Sequence, residues 1–305
     1  MLVVLGNVCR DITYRVKTLP KPGETVIASH VTFDLGGKGL NQAVAARRAG
    51  QPVRFVAAVG NDPVAQEIRK SLAHEGIDPA NLMVHDGQSD SSVILVDAKG
   101  ENVIVSDTSR AEALRPDDIL PRLKLKAEDT LLLQGNLSRE TTEAAIAAAR
   151  QAGTATILNA APFRNWLPAI SAGIDVLVVN QLEAHLWTGL DESHSLENVM
   201  DAIEVPMVIV TLGGKGCRLR DAKGNATAIP APLVNAIDTT GSGDVFTGTF
   251  AGEWLASGDN LRAATLAVHA ASDKVTRQGS FSAFPTARTV SRLKKQCESS
   301  GHYRE

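Results

Sequence analysis

Short runs of β-branched and leucine residues recur along the chain, and they are apolar throughout rather than alternating with polar residues. We predict buried strands at residues 2–5, 53–59, 130–133, 156–158, 176–179 and 208–211. Between most of these runs the apolar residues have helical spacing, at residues 40–49, 63–74, 139–151 and 183–187. Continuous apolar strands separated by helices are typical of a parallel sheet covered on both faces, so the pattern predicts an α/β fold.

Two segments interrupt this rhythm with alternating apolar and polar residues, at about 12–33 and 91–106. In the first segment, Ile27, Val31 and Phe33 share one face. The second segment has apolar residues at period two on both sides of a turn at residues 97–100, and these are Val93, Leu95, Val103 and Val105. Because period two is the spacing of half-exposed strands, we expect a small separate sheet.

The last hundred residues have a different character. Residues 218–220 and 226–229 flank a turn sequence at 221–225 and predict a hairpin, and long helices follow. The all-parallel order is therefore expected to end here. Since no internal repeat or linker stands out, we expect residues 1–305 to form a single domain.

Charge and hydropathy disfavour two classes of partner. The 31 basic and 34 acidic residues are mixed along the chain and give a net charge of −3, so we expect no nucleic-acid partner. The longest apolar runs are far too short to span a bilayer, and the opening run at 1–5 is too short for a signal peptide. We therefore expect no membrane partner and a cytoplasmic location.

The cysteines and histidines show no pattern of a disulfide framework or a structural zinc site. Cys9, Cys217 and Cys297 are odd in number and widely spaced, and the closest histidines, His185 and His194, lack ligand spacing. We expect reduced thiols.

The strongest chemical signal is the sequence Asp-Thr-Thr-Gly-Ser-Gly-Asp at residues 238–244, directly before an apolar pattern with helical spacing. Gly241, Ser242 and Gly243 allow backbone N–H groups to converge at the positive end of that helix, which suits a phosphate. Asp244 is then a candidate base for phosphoryl transfer. Its alternative role is a helix N-cap.

A second glycine-rich block, Gly-Gly-Lys-Gly-Leu-Asn-Gln-Ala at residues 36–43, also leads into a helix. Alone, such a block is more often a tight turn than a ligand site. Further motifs follow in a fixed order, at residues 6–11, 180–183, 211–216 and 275–279. With these blocks the chain resembles, over nearly its whole length, the ribokinase family of carbohydrate kinases, also called the phosphofructokinase-B type.

The resemblance implies a ribokinase-like three-layer α/β/α sandwich with a β-sheet lid formed by residues of about 12–33 and 91–106. It implies ATP-dependent transfer of the γ-phosphoryl group to a sugar hydroxyl, with Mg²⁺, and a homodimer formed through the lid. An inserted sheet with no moving role is the alternative for these strands.

The resemblance also assigns roles to single residues. Asp244 is the base, and the amides of Gly241, Ser242 and Gly243 stabilise the charge that develops during transfer. The residues matched to the sugar site are Asp11, Gly37, Lys38, Asn41 and Asn136. Asp11 also follows the first strand at the carboxyl edge where open α/β sheets bind ligands. Lys38 has solvation or capping of the loop as its alternative.

The motifs that match the family's nucleotide site are less specific than those of the sugar site. The residues matched to the nucleotide site are Asn180, Thr211, Gly213, Gly214, Gly216 and His269, with Val268 as the alternative if the helix register differs. Glu183, together with Asn180, matches a pair that orders the waters of Mg²⁺. A capping box formed by the same two residues is an alternative that is compatible with this role.

A monovalent cation, K⁺, is implied beside the anion cradle, by which we mean the backbone N–H groups of Gly241, Ser242 and Gly243. The positions matched to its ligands are Asp238 and the carbonyl groups of Thr240, Lys274, Arg277 and Gly279. Ala283 stands where ribokinase offers a serine, so the match is incomplete.

Two positions differ from ribokinase, so the resemblance does not identify the sugar. Cys9 replaces an asparagine of ribokinase, and Asn136 stands where ribokinase has a sugar-contacting glutamate. D-Ribose is therefore one candidate, and a nucleoside or a sugar phosphate is the alternative. The residues considered as readers of a phosphorylated sugar are Arg10, Arg110, Arg139 and Arg164.

Proteins of other classes remain as rivals. A catalytically silent sugar-binding sensor could keep the fold, although a sensor needs no base at position 244. A dehydrogenase or a P-loop enzyme is disfavoured because the sequence lacks both glycine fingerprints of those classes.

Overall fold

The computed structural model describes residues 1–99 and 101–299. The strands in these ranges are β1 (Leu2–Leu5), β2 (Cys9–Arg15), β3 (His30–Gly36), β4 (Val53–Val59), β5 (Leu82–Val84), β6 (Ser91–Val96), β7 (Asn102–Asp107), β8 (Thr130–Gln134), β9 (Ala155–Asn159), β10 (Val176–Asn180), β11 (Met207–Thr211), β12 (Cys217–Arg220) and β13 (Ala226–Ile229).

The α-helices of the same ranges are α1 (Lys38–Arg48), α2 (Pro63–His74), α3 (Ser109–Ala113), α4 (Pro116–Leu123), α5 (Arg139–Ala152), α6 (Gln181–Thr188), α7 (Leu196–Asp201), α8 (Ser242–Ser257), α9 (Asn260–Lys274) and α10 (Ala287–Ser299). Short 3₁₀ turns occur at Pro79–Asn81, Leu167–Gly173, Gly213–Lys215 and Phe281–Ala283.

The central sheet has nine strands in the order β13-β12-β11-β10-β9-β8-β1-β4-β5. The pairs from β5 to β11 are parallel, and the hairpin of β12 and β13 adds two antiparallel strands at one edge. The predicted α/β class is thus confirmed, and so is the predicted hairpin.

Apolar residues of each central strand face both sides of the sheet, which explains their continuous apolar sequences. In β1, Leu2 and Val4 belong to the apolar core that includes residues of α1, α8 and α9, whereas Val3 and Leu5 belong to the core that includes residues of α4, α5 and α7. Two apolar cores therefore separate three layers, helix on sheet on helix.

The small sheet has the order β3-β2-β6-β7 and two chemically different faces. Cross-strand neighbours on one face are Phe33, Ile12, Val93 and Val105, and on the other face they are Asp34, Asp11, Ser92 and Ser106. Strand β2 already begins at Cys9, so Asp11 belongs to this sheet rather than to a loop after β1.

The alternation expected for the two inserted segments is present, with a correction at Ile27. This residue lies before β3 and is not part of its apolar face, because β3 begins at His30. Gly100, within the predicted turn at 97–100, lies outside the described residues, as do residues 300–305 of the predicted domain. In the described ranges, no helix is long and apolar enough to cross a membrane.

Candidate active site

Asp244 lies where the two glycine-rich blocks meet. Its carboxylate is 5% exposed and accepts hydrogen bonds from Asn41 Nδ2 at 2.9 Å and Gln42 Nε2 at 3.0 Å, both on α1. Lys38 Nζ lies 3.8 Å from Asp244 Oδ1. Because α1 and α8 both begin at the same edge of the sheet, residues 203 positions apart in the sequence come into direct contact.

The N-terminus of α8 shows that Asp244 is not the helix cap. That position belongs to Gly241, which has a φ of +74°. Only glycine adopts this region readily, and an added Cβ would lie 2.9 Å from Phe284 Cε1. Asp244 sits in the first turn, so its carboxylate is available for chemistry at the positive end of the helix.

The entry to α1 is equally constrained by its glycines. Gly37 has a φ of +93°, and a Cβ there would lie 2.8 Å from Val8 Cα. The lack of a side chain at Gly37 thus lets this loop lie directly against the backbone that follows β1. Leu40 N–H completes this junction by donating to the carbonyl oxygen of Asn7 at 3.1 Å.

Gln42 is a site residue that the sequence analysis did not identify. Its side chain is completely buried, and Nε2 also donates to Asn159 Oδ1 at 3.0 Å, while Oε1 accepts from Gln134 Nε2 at 3.0 Å. These contacts link Asp244 to the ends of β8 and β9. The available signal was a polar residue inside an alanine-rich helix, but the sequence did not indicate which residues it would contact.

Asp11 lies on the polar face of the small sheet and is 9% exposed. Burial raises the pKa of Asp11 to about 6, and the charges of Asp34 and Asp244 add to the effect, whereas hydrogen bonds from Cys9 and Ser92 oppose it. The charge of Asp244 at the start of α8 therefore acts on a carboxylate of the small sheet.

Two predicted sugar-site residues have buried oxygen atoms with no hydrogen-bond partner in the described residues. They are Asn41 Oδ1 and Asn136 Oδ1. A buried acceptor without a donor is costly, so each of them is suited to a hydroxyl group supplied by a ligand. Lys38, 36% exposed, completes the set beside Asp244.

A cavity of about 570 Å³ opens on the other side of the cradle. It is lined by four of the predicted nucleotide residues, Thr211, Gly213, Gly214 and Gly216. Ser242 and Gly243 of the cradle also line it. The cavity and the cradle are therefore continuous.

The helix register beside this cavity favours the alternative to His269. Val268 lines the cavity, together with Ala271 and Ser272 of the same helix, and His269 is not among the lining residues. The loop at 231–236 forms a wall that the sequence did not indicate. Its signal was an apolar loop, in which Leu233 is fully exposed.

Asn180 and Glu183 form the capping box considered as an alternative. Asn180 Oδ1 accepts from Glu183 N–H at 2.8 Å, and Glu183 Oε2 accepts from Asn180 N–H at 2.9 Å. Asn180 does not line the nucleotide cavity. Burial raises the pKa of Glu183, Lys38 lowers it and Asp244 raises it, so the cap also lies within electrostatic reach of the base.

This arrangement fits Mg²⁺ held largely by nucleotide phosphates and water. Glu183 is an oxygen donor near Asp244 and Lys38, and Mg²⁺ usually takes one or two carboxylates in addition to phosphate oxygens. No group of three or more His, Cys, Asp or Glu side chains that could hold a metal alone occurs in residues 1–99 and 101–299.

The residues expected to hold K⁺ come together around Asp238, but they do not fit that ion. The Lys274 side chain is completely buried, and its Nζ donates to the Asp238 carbonyl oxygen at 2.8 Å and lies 3.9 Å from Asp238 Oδ1. Arg277 Nε donates to the carbonyl oxygen of Ala283 at 3.0 Å. Lys274 thus brings a positive side chain to Asp238 itself, and Arg277, paired with Asp273, brings a second one to the neighbouring loop.

Comparison with known proteins finds similar sequences and structures that match nearly the whole chain. The model of the pfkB family carbohydrate kinases matches residues 1–287. A ribokinase of Haemophilus influenzae is 32% identical over 293 residues, which cover 93% of this chain and 95% of that protein. A deoxyribokinase of Salmonella typhi is 31% identical, with the same coverage of 93% and 95%.

Among solved structures, Arabidopsis thaliana ribokinase complexed with ribose and ATP superposes with a TM-score of 0.85. It is 27% identical in sequence, and the match covers 96% of this chain and 98% of that one. The similarity therefore extends over both sheets and over both helix-entry loops.

Proposed function

Because this chain belongs to the pfkB family of carbohydrate kinases, we propose that it transfers the γ-phosphoryl group of ATP to a hydroxyl of D-ribose or a closely related sugar. That it is an ATP-dependent sugar kinase follows from the family and the relatives. The single observation that supports the detailed assignment is the buried carboxylate of Asp244 at the N-terminus of α8, held by Asn41 and Gln42.

In this proposal Asp244 accepts the proton of the sugar hydroxyl as that oxygen attacks phosphorus. The amides at Gly241 to Gly243 and the positive end of α8 stabilise the negative charge of the transferring phosphoryl group. Lys38, beside Asp244, adds a positive charge on the same side. Glu183 would order the hydration of Mg²⁺ bound with the nucleotide, and the chemistry supplied by that ion would be neutralisation of phosphate charge.

The sugar lies between the polar face of the small sheet and the start of α1. Asp11 accepts hydroxyl groups from one side, and the unpartnered oxygens of Asn41 and Asn136 accept them from the other. The cavity at residues 211–216 takes the nucleotide, with an apolar wall for the flat base. Ribose is the first candidate substrate because relatives that match nearly the whole chain are ribokinases.

A 2-deoxypentose is the second candidate, and Cys9 is the observation that favours it. The Cys9 thiol is buried and donates its hydrogen bond to Asp11 Oδ1 at 3.4 Å. A thiol is a weak hydrogen-bonding group, so this position offers little to a hydroxyl group. A relative named deoxyribokinase is as similar to this chain as the ribokinases are.

The apolar face of the small sheet supports a homodimer through the lid. Phe33 is 65% exposed and Val105 is 68% exposed, and both belong to the apolar cross-strand row. Exposed apolar surface of this kind is typical of an interface. We also propose that the enzyme works in the cytoplasm, where ATP is available and the cysteines stay reduced.

The experiment is a substrate panel with Mg-ATP, read by ADP release and by phosphorus NMR of the product. The panel contains D-ribose, 2-deoxy-D-ribose, hexoses, nucleosides and sugar monophosphates. We expect turnover of a free pentose, and we expect Cys9→Asn to raise the rate with ribose relative to the rate with 2-deoxyribose. Turnover restricted to nucleosides or sugar phosphates would contradict the substrate assignment. Saturable sugar binding without any turnover would favour a sensor.

A further inference from the structure

The anion cradle is tied to the loop after α9 through Asp238. Asp238 Oδ1 accepts from Thr240 N–H at 2.9 Å, and Oδ2 accepts from Gly279 N–H at 3.0 Å. The N–H of Asp238 also donates to the Val275 carbonyl oxygen at 3.2 Å. Because the cradle follows only three residues later in the sequence, the position of its amides depends on how firmly Asp238 is held.

A loop built in this way concentrates negative potential at Asp238. The carboxylate carries a full charge, and its own carbonyl group points in the direction of Lys274. A cation at this point offsets the carbonyl dipole and the carboxylate charge, and it keeps the loop closed before the negatively charged nucleotide arrives.

Lys274 supplies such a cation from within the chain. It is the last residue of α9, its side chain is completely buried, and its Nζ donates to Asp238 O at 2.8 Å. Lysine is almost never fully buried unless it is paired. Burial lowers the pKa of Lys274, and Arg277 lowers it further, whereas Asp238 raises it, so Asp238 is the partner that favours the ammonium form.

The same geometry works against a free metal ion at Asp238. The Lys274 ammonium already lies within 3.9 Å of Asp238 Oδ1 and takes the carbonyl oxygen. Arg277, four positions from Asp273 with which it pairs, brings a second cation to the loop. A further monovalent ion would have to enter beside the Lys274 ammonium and compete with it for the Asp238 oxygens.

We propose that the Lys274 ammonium is the resident cation of the Asp238 loop, so that phosphoryl transfer by this protein requires no added monovalent cation. The inference rests on the proposed function, because it concerns the loop that holds the phosphate cradle. It replaces the K⁺ that the sequence motifs imply with a cation that is covalently part of the chain.

The direct test uses the wild-type protein. Activity is measured with the Tris salt of ATP and MgCl₂ while tetramethylammonium chloride is exchanged for KCl at constant ionic strength. We expect kcat and the KM for ATP to change by less than about twofold across the series. In parallel, the thermal midpoint without nucleotide should be the same in both salts. Activation of about fivefold or more by K⁺, or a saturable rise in the midpoint, would overturn the proposal.

A variant and a matched control test whether Lys274 is the reason that the protein needs no added monovalent cation. Lys274→Met keeps the length of the side chain but removes the charge, so we expect turnover to fall by about tenfold and K⁺ to restore part of it. Lys294→Met is the control, since Lys294 is also paired with a carboxylate, Glu253, but lies on α10. The control should not acquire a response to K⁺.

The two readouts separate failure of this inference from failure of the proposed function. If the wild-type protein turns over no sugar, the proposed function fails, and the thermal midpoint still decides whether a monovalent cation binds. If Lys274→Met does not fold, the wild-type measurements alone decide. A Lys274→Met protein that folds, and loses activity without any response to K⁺, would mean that Lys274 is only a structural residue and would contradict the proposal.

Discussion

Asp11 illustrates, at the scale of one residue, how a binding site reduces stability. Its carboxylate is buried near two other carboxylates, and its pKa is raised from 3.8 to about 6. The folded protein therefore binds this proton more tightly than the unfolded chain does. The charged form costs stability at all pH values above about 6, and the cost disappears as the pH falls toward 3.8.

The first prediction concerns this carboxylate. Since protonated Asp11 accepts fewer sugar hydroxyls, kcat/KM for the sugar should fall by about tenfold per pH unit below pH 6. In Asp11→Asn, kcat/KM for the sugar should be low at every pH, and its fall below pH 6 should be absent. The variant should also be more stable than wild type at pH 8, by on the order of 2 kcal/mol, but not at pH 4. Steady-state kinetics and urea unfolding check both points. An Asp11→Asn variant of lower stability at pH 8 would contradict this account.

The second prediction concerns Gln42. It donates to Asp244 and is held by Gln134, so it is a positioning residue for the base. Gln42→Glu places a second carboxylate against Asp244. Like charges disfavour ionisation, so we expect kcat to fall by about tenfold and the acid limb of its pH profile to move to higher pH. The KM for ATP should stay nearly constant.

The control for Gln42 is the same exchange at an exposed helical position, Gln66→Glu on α2. It should leave the pH profile unchanged. An equal loss of kcat at every pH in Gln42→Glu, without a shift of the limb, would indicate general damage to the fold and not mispositioning of the base.

At the scale of elements, the first turn of α8 combines a backbone requirement with a packing requirement. Gly241 and Gly258 stand at the two ends of this helix with φ values of +74° and +68°. An added Cβ at Gly241 would meet the ring of Phe284, whereas Gly258 has no neighbour within 4 Å. Alanine would therefore strain the backbone at both positions, but its Cβ would clash with a neighbouring side chain only at Gly241.

The third prediction compares alanine at these two positions. Gly258→Ala should cost about 1 kcal/mol of unfolding free energy through backbone strain alone. Gly241→Ala should cost more, because Phe284 must move, and it should also lower kcat by displacing the cradle. Chemical denaturation and kinetics on both variants measure the difference. Equal costs, with kcat unaffected in Gly241→Ala, would show that the turn does not position the cradle.

The small sheet is the second element with a testable consequence. Its polar face carries Asp11 toward the base, and its apolar face carries Phe33 and Val105 to the surface. The fourth prediction is that wild type is a dimer by light scattering and that Phe33→Glu is a monomer. Leu120→Glu, an exposed leucine on α4, is the control and should leave the dimer intact. A monomeric wild type at micromolar concentration would contradict the lid interface.

At the scale of the whole molecule, the sequence predicted the layers and the edge of the sheet that carries the site. Continuous apolar strands can only be buried on both faces, and two glycine-rich helix entries at one sheet edge must come close together. The pairing of Asn41 with Asp244 follows from that topology even though the residues are far apart in the chain.

What the sequence could not predict depends on side-chain direction. A shift of one residue along a helix turns the side chain by about 100°, which separates Val268 in the cavity from His269. Lys274 was expected to offer a carbonyl group, yet its side chain turns back to Asp238. The apolar loop at 231–236 and the amide of Gln42 gain their meaning only from partners distant in the sequence.

The turnover of Asp244→Asn with the sugar selected from the panel shows whether Asp244 is the base. The fifth prediction is a fall in kcat by about 10³-fold, with the Kd of the sugar changed by less than about threefold, because the base acts only in the transition state. Titration calorimetry supplies the Kd and coupled ADP release supplies kcat. A variant that retains more than about a tenth of wild-type kcat would contradict the assignment of Asp244 as the base.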